Sequence, residues 1–159
     1  MIIKNRYLIS YYLYTKLHMK VSDILSTKGK DIYSVTGETT VYDALKVMSD
    51  TNVGALLVID EGKLSGIVSE RDYARKVALQ GKSSQETLIK EIMTSHVLTV
   101  EPSDSIDRCM ELMSDKHIRH LPVLKEGQVM GIISIGDVVN TIIKSQRDTI
   151  DQLKNYISQ

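Results

Sequence analysis

The heptapeptide Gly66-Ile67-Val68-Ser69-Glu70-Arg71-Asp72 returns 65 positions later (131 − 66) as Gly131-Ile132-Ile133-Ser134-Ile135-Gly136-Asp137. The correspondence extends without a gap from residues 35–72 to residues 100–137, and it aligns Met48-Ser49-Asp50 with Met113-Ser114-Asp115. A unit of this length buries little apolar surface alone. The chain is therefore predicted to contain two copies of one unit that pack together.

Apolar periodicity and turn residues predict the same order of elements in both copies. In the first copy the predicted elements are a strand ending at position 35, a helix capped by residue 39 or 40, strands at 55–59 and 64–68 around the Glu61-Gly62 turn, and a helix from 69 through 78. In the second copy they are a strand at 98–100, a helix from near 104, strands at 121–124 and 129–133, and a helix from 134. The predicted fold class is α+β, with two β-α-β-β-α repeats packed with pseudo-two-fold symmetry.

Charge and cysteine content limit the partners and the compartment. Lys plus Arg and Asp plus Glu number 20 each, so no net field attracts nucleic acid or an acidic membrane surface. The single cysteine, Cys109, excludes an internal disulfide and predicts a reducing compartment, the cytoplasm. Cys109 aligns with Ala44 on an apolar helix face, which favours a buried thiol over a redox group.

Catalytic and metal motifs are weak in this sequence. It has no glycine-rich phosphate loop, and no serine stands in a recognisable motif with a histidine base and an orienting acid. His117 and His120 have the spacing of a metal pair, but Pro122 and the strand pattern place His120 off the helix, so one face cannot present both. We therefore predict no enzymatic activity and no metal site.

The first eighteen residues do not share the repeat pattern. They contain four of the eight tyrosines, no acidic residue, and the cations Lys4, Arg6 and Lys16. No run there approaches the roughly 20 apolar residues of a membrane-spanning helix, and no small-residue cleavage site follows. Three interpretations stay open: a start site placed too early, which we favour, a short amphipathic arm, and a weak transit-like presequence.

The repeated heptapeptides, together with His117-Ile118-Arg119-His120-Leu121-Pro122-Val123, resemble a tandem pair of CBS (cystathionine β-synthase) domains. The likeness covers residues 20–144, and the residues around 70–76 and 80–84 are similar to those of stand-alone CBS-pair proteins of bacteria and plant organelles. The resemblance implies one CBS-pair module with no chemistry of its own. It divides the chain into an N-terminal extension (1–18), a first CBS domain (19–82), a second CBS domain (83–144) and a C-terminal helical extension (145–159).

Each heptapeptide places a serine at a helix start and an aspartate three residues further on, Ser69 with Asp72 and Ser134 with Asp137. This is a capping box, which contributes about 0.5–2 kcal/mol to stability. The same groups suit a nucleotide, because free amides at a helix start attract phosphate and a carboxylate accepts hydrogen bonds from a ribose diol. The sequence alone leaves both interpretations open.

The two copies differ where a phosphate would bind. Because an aspartate repels phosphate, a cation is needed, and the second copy has Arg119 and His120 where the first has Gly54 and Ala55. The site containing Asp137 is therefore predicted to bind phosphate better. The first-copy site has only the basic residues near its helix: Arg71, Arg75 and Lys82.

The resemblance also implies which residues complete each cleft. In related pairs, the adenine is contacted by residues at the start of the other copy's first strand. The residues so assigned are Ile32 and Tyr33 with Asp137, and Thr94, Val97 and Leu98 with Asp72. Tyr33 is large for such a position, where it would either stack on the adenine or block it.

The C-terminal helix is predicted to continue past the repeat. Its apolar residues keep helical spacing: Val139, Ile142, Ile143, Ile150, Leu153 and Ile157. CBS pairs commonly associate through such helices, so the resemblance implies a homodimer, whereas the tail could also fold back on its own domain.

Two functions follow from the resemblance. The first is a regulatory module that binds AMP, ADP or ATP, with NAD or S-adenosylmethionine as possible ligands, and transmits energy or redox status to a protein partner. The alternative is a dimeric interaction scaffold whose nucleotide sites are vestigial.

Overall fold

The computed structural model describes residues 19–29 and 31–157, except the side chain of Tyr156. The three interpretations of the N-terminal eighteen residues therefore lie outside the described residues. The helices are α1 (Val21–Lys28), α2 (Val41–Thr51), α3 (Glu70–Lys76), α4 (Ile89–Ile92), α5 (Ile106–Asp115) and α6 (Ile135–Ile157), with a 3₁₀ turn at Ala78–Gln80. The strands are β1 (Ser34–Val35), β2 (Ala55–Asp60), β3 (Lys63–Ser69), β4 (His120–Lys125) and β5 (Gln128–Ser134).

The predicted hairpins and helix starts are confirmed. In the first copy β1 runs parallel to β2, which pairs antiparallel with β3, and in the second copy β4 pairs with β5. The Glu61-Gly62 turn has positive φ at both residues, as a tight hairpin turn requires. Thr40 caps α2, since its side chain accepts a hydrogen bond from the Asp43 amide.

The first strand of the second copy is reduced to a single bridge. Val100 pairs in parallel with Val123, and its amide donates to the Pro122 carbonyl. In the first copy the corresponding ladder continues, because the Leu57 amide donates to the Tyr33 carbonyl at 3.4 Å. Position 122 aligns with Leu57, and a proline has no N–H to donate, so the strand predicted at 98–100 cannot extend beyond this bridge.

The helix that begins after Ser69 is shorter than predicted. It ends at Lys76, and Val77 leaves the helical conformation at φ −120° and ψ −67°. The 3₁₀ turn that follows closes on Gly81, whose φ of +65° lies in the left-handed region. The prediction of one continuous helix through Val77 and Ala78 was therefore wrong.

The described residues form two compact units. One unit contains the described residues before position 30 together with 100–123 and those from 132 onward; the other contains 31–99 and 124–131. In the first unit the start of α1 pairs with the start of α5, since the Val21 amide donates to the Asp104 carbonyl. In the second unit α4 pairs in the same way with α2, since the Ile89 amide donates to the Thr39 carbonyl. The helix before the first copy, α1, thus belongs to the unit that contains α5, the first helix of the second copy. The helix before the second copy, α4, belongs to the unit that contains α2, the first helix of the first copy.

Each unit has its own apolar core. In the first unit Ile24 of α1 packs with Cys109, Leu121 and Ile133, and Cys109 is fully buried as predicted. Burial raises the pKa of the Cys109 thiol to about 11, so it stays protonated and unreactive at neutral pH. The core of the second unit is built around Val41, Leu56 and Val68. Among the described residues no helix is both long and apolar enough to cross a membrane.

Candidate functional site

Both predicted capping boxes are present, at equivalent places in the two copies. In the first, Oδ2 of Asp72 accepts hydrogen bonds from the amide and hydroxyl of Ser69 at 2.9 and 2.8 Å. In the second, Oδ2 of Asp137 accepts from the amide and hydroxyl of Ser134 at 2.7 and 2.9 Å. Each serine oxygen accepts in turn from its aspartate's amide. The capping interpretation is therefore confirmed for both serines.

The residue just before the first strand of each hairpin accepts one further bond from the helix start. The Ile135 amide donates to the Arg119 carbonyl at 2.9 Å, and in the first copy the Glu70 amide donates to the Gly54 carbonyl at 3.1 Å. Two of the first three amides of α6 are thus committed, one to Arg119 and one to Ser134. The helix start therefore offers fewer free amides to an anion than an uncapped helix would. A bound phosphate would depend more on side-chain cations.

Each aspartate is paired with one lysine, but the two lysines come from different places. Lys76 of α3 lies one turn beyond Asp72 and reaches its Oδ1 at 2.8 Å. Asp137 is paired instead with Lys28 at the end of α1, whose Nζ lies 2.7 Å from Oδ2. Lys28 is not among the site residues predicted from the sequence. No local pattern indicates this pair, because the two residues are 109 positions apart and Lys28 lies outside the gap-free repeat.

Lys28 also replaces a backbone interaction. Its Nζ donates to the Ile132 carbonyl at 3.1 Å. The corresponding carbonyl of the first copy, that of Ile67, accepts a hydrogen bond from the Thr94 amide at 2.9 Å. A flexible ammonium thus occupies in the second copy the place that a backbone amide holds in the first.

The charge state of Asp137 follows from these contacts. Burial by itself would raise its pKa, but Lys28 and the Ser134 amide and hydroxyl together hold the pKa below its ordinary value of 3.8. Asp137 is therefore ionised at neutral pH. Because the folded-state pKa is lowered, the stabilisation it provides is present above pH 3.8 and is lost as the pH falls through the lowered pKa.

The structure places the remaining predicted residues around these centres. Arg119 is exposed and His120 half-buried where β4 begins, in the same unit as Asp137. Arg71 is half-buried beside Asp72 on α3. Ile32 and Tyr33 belong to the other unit, so their pairing with Asp137 stays a prediction.

Thr94, assigned to the Asp72 site, is held against β3. Its amide and carbonyl exchange hydrogen bonds with Ile67, and a Cβ at Gly66 would lie 3.0 Å from the Thr94 carbonyl oxygen. Glycine at position 66 thus permits this close approach. Lys76 adds a bond of 2.6 Å to the Ile92 carbonyl, which ties α3 to the segment before Thr94. Val97 is half-buried and Leu98 is exposed in the same unit; their contact with a ligand stays a prediction.

A groove of about 400 Å³ lies between α1 and α6 in the first unit. Its lining includes the carboxylates of Asp23 and Asp148 and the ammonium of Lys144. Two negative charges against one positive charge do not favour a phosphate. The cationic groups near Asp137 suit an anion better than this groove does.

A family model of the CBS domain matches the chain twice, over residues 21–79 and 89–144. The chain is 42% identical over 146 residues to the CBS domain-containing protein CBSX3, mitochondrial, of Arabidopsis thaliana, covering 86% of this chain and 71% of that protein. That relative is named as mitochondrial, so the cytoplasmic location predicted above stays a prediction.

Two solved structures have the same fold. A protein with CBS domains from Burkholderia ambifaria MC40-6, assigned to signal transduction, is 51% identical, with a TM-score of 0.78 over 80% of this chain and 96% of its own. The CBS domain pair of protein MJ0100 is 29% identical, with a TM-score of 0.69 over 78% of this chain and 95% of its own. That pair was solved in complex with 5′-methylthioadenosine and S-adenosyl-L-methionine.

Proposed function

This chain belongs to the CBS domain family as a tandem pair, and we propose that it is a non-catalytic regulatory module that binds an adenosine nucleotide at the Asp137 site. The observation that carries the proposal is the concentration of groups there. A half-buried ionised carboxylate lies beside the Lys28 ammonium, and Arg119 and His120 stand at the adjacent strand start. Such a set can bind a ribose and a phosphate a few ångströms apart.

The free acceptor capacity of the two carboxylates favours the same site. The hydrogen bonds and ion pair recorded for Asp137 within the described residues all use Oδ2, which leaves Oδ1 for a ribose diol. Asp72 has Oδ2 engaged by Ser69 and Oδ1 engaged by Lys76. A ligand at the first copy would therefore have to displace a local ion pair. We propose the Asp137 site as the tighter of the two.

The adenosyl ligands of the MJ0100 pair support the choice of ligand class. We propose AMP, ADP or ATP, because the cations near Asp137 suit a phosphate chain, with NAD and S-adenosylmethionine as further candidates. Binding would change the affinity of the module for a protein partner, which requires only that the ligand prefer one conformation.

A thermal-shift screen tests this proposal. A ligand at 100 times its dissociation constant stabilises the folded state by about 2.7 kcal/mol. For a chain of this length that corresponds to a rise of about 5–10 °C in Tm. We expect such a rise with at least one of AMP, ADP, ATP, NAD or S-adenosylmethionine, and none with GMP as the control. If no adenosyl compound shifts the Tm, the nucleotide function fails and the scaffold alternative is favoured.

A specific feature of α6 supports a homodimer in either case. Along this helix Ile143, Ile150 and Ile157 recur every seven positions, and a second series of the same period holds Val139, Gln146 and Leu153. Each of the five apolar side chains is about 40% exposed or more. Isoleucine at one core position and Leu153 at the other fit a parallel two-stranded coiled coil, with Gln146 as one polar residue in the seam. We propose that a second copy of this chain covers the stripe.

The flanking charges favour the parallel orientation. Arg147 and Lys154 each follow a stripe isoleucine by four residues. In an antiparallel pair these positions would face each other and bring like charges together, whereas in a parallel pair they face Ile142 and Thr149.

We expect Ile150→Glu to convert a dimer into a monomer, because it would place two carboxylates in the seam. Static light scattering across a dilution series measures the mass. Asn155→Glu, an exposed change on the opposite side of α6, is the matched control and should leave the dimer intact. A parent protein that has monomer mass at every concentration contradicts the proposal.

A further inference from the structure

We propose that Lys28 is an exchangeable counter-ion that makes the Asp137 site selective for phosphorylated adenosine compounds. Without ligand it neutralises Asp137, and with a nucleotide bound it pairs with the phosphate while the carboxylate binds the ribose. This inference rests on the proposed nucleotide function, but it concerns which adenosine compounds are accepted and which residue decides.

The geometry leaves Lys28 able to make this exchange. An ammonium has three donors, and the bonds to Asp137 and Ile132 use two of them. The Lys28 side chain is 38% exposed, so an anion can approach it without disturbing the core. Asp137 also keeps its two bonds from Ser134 whether or not Lys28 stays, so the carboxylate remains in place when the lysine moves.

Electrostatics favours the exchange. A phosphate monoester carries about −1.5 to −2 charge at pH 7, more than the single charge of the carboxylate. A phosphate close to an uncompensated Asp137 would be repelled, so a cation that can lie between the two anions is required. Lys28 is the cation that the structure places against Asp137.

The first copy lacks this arrangement. Lys76 reaches Asp72 from within the same helix, whereas Lys28 comes from a different helix. Lys76 also donates to the Ile92 carbonyl at 2.6 Å, a shorter bond than the 3.1 Å bond from Lys28 to Ile132. Its exposed fraction, 41%, is close to that of Lys28, which makes it a matched control. A lysine that only stabilises a capping box would behave like Lys76.

A purely structural Lys28 and an exchangeable one predict different ligand selectivity. In the structural case Lys28 only fastens α1 to the start of α6, so its removal weakens every ligand by the same factor. In the exchange case its removal weakens a phosphorylated ligand and spares adenosine, which then meets a carboxylate without a competing cation.

The test measures AMP and adenosine binding to the full chain by isothermal titration calorimetry, for the parent, Lys28→Gln, Lys28→Arg and Lys76→Gln. Glutamine keeps a hydrogen bond to Ile132 within reach but removes the charge. We expect Lys28→Gln to weaken AMP about 10- to 100-fold, the range for a charge-assisted hydrogen bond, and to leave adenosine unchanged or tighter. Lys28→Arg should keep most of the preference for AMP, and Lys76→Gln should keep all of it.

If Lys28→Gln leaves the ratio of the AMP and adenosine affinities unchanged, whether both are weakened equally or neither is, the inference is overturned. The proposed nucleotide function survives this result. A parent that binds neither compound at any accessible concentration overturns the nucleotide function, and this role of Lys28 with it. Thermal melting of each variant confirms that it is folded. If the glutamine variant is not folded, Lys28→Met, which also removes the charge, tests the inference by its AMP-to-adenosine ratio.

Discussion

Leu121→Ala is expected to lower the free energy of unfolding by about 2–5 kcal/mol, because it removes a fully buried side chain from a packed core. Leu121 lies on β4 at 0% exposure, in the core of the first unit. Its counterpart in the first copy is Leu56, also at 0% exposure, on β2 in the core of the second unit. Leu56→Ala should therefore cost about as much.

Urea unfolding measures both variants, and Leu79→Ala is the matched control because that leucine is 82% exposed. The control should change stability by less than about 0.5 kcal/mol. A loss in both core variants supports equal structural roles for the two copies. A large loss in one with none in the other contradicts the equivalence drawn from the repeat.

The parts of the fold that were predictable from sequence depend on local patterns. The caps at Thr40, Ser69 and Ser134 and the turn at Glu61-Gly62 are decided by a few neighbouring residues, whose chemistry acts over one turn. The duplication added independent support, since each signal occurred at the same offset in both copies. The length of the C-terminal helix followed from the spacing of its isoleucines.

The wrong predictions concern the lengths of two elements, which depend on hydrogen bonds outside the element itself. The short strand at Val100 is limited by Pro122, which is visible in the sequence but acts only through the partner strand. The early end of α3 depends on the 3₁₀ turn that closes on Gly81. Predicting the short strand and the early helix end would have required knowing which backbone N–H and C=O groups form hydrogen bonds with each other.

In the candidate site, too, the residues that are close in sequence were predicted and the distant one was not. The serine and aspartate of each box are local and were found, whereas Lys28 comes from a helix more than 100 residues away. No sequence periodicity indicates that α1 belongs to the same unit as Asp137. The sequence predicts that the two sites differ because only the second copy has Arg119 and His120. The structure adds a second difference, since Asp137 pairs with Lys28 and Asp72 pairs with Lys76.

Asp137→Ala is expected to have the largest effect on ligand binding. A carboxylate that accepts hydrogen bonds from both ribose hydroxyls contributes about 1.5–3 kcal/mol for each charged bond. Its loss should weaken an adenosyl ligand by about 100-fold or more. Calorimetric titration with the best ligand of the thermal-shift screen measures the change.

Asp72→Ala separates the capping role from the ligand role. Both aspartates close a capping box and pair with a lysine, so both alanine variants should lose about 0.5–2 kcal/mol of stability for the cap. Only Asp137→Ala should strongly weaken the tighter binding event, because Asp72 has one carboxylate oxygen engaged by Ser69 and the other by Lys76. If both variants melt lower yet bind the ligand like the parent, the two carboxylates act as helix caps alone, and the module works as a scaffold.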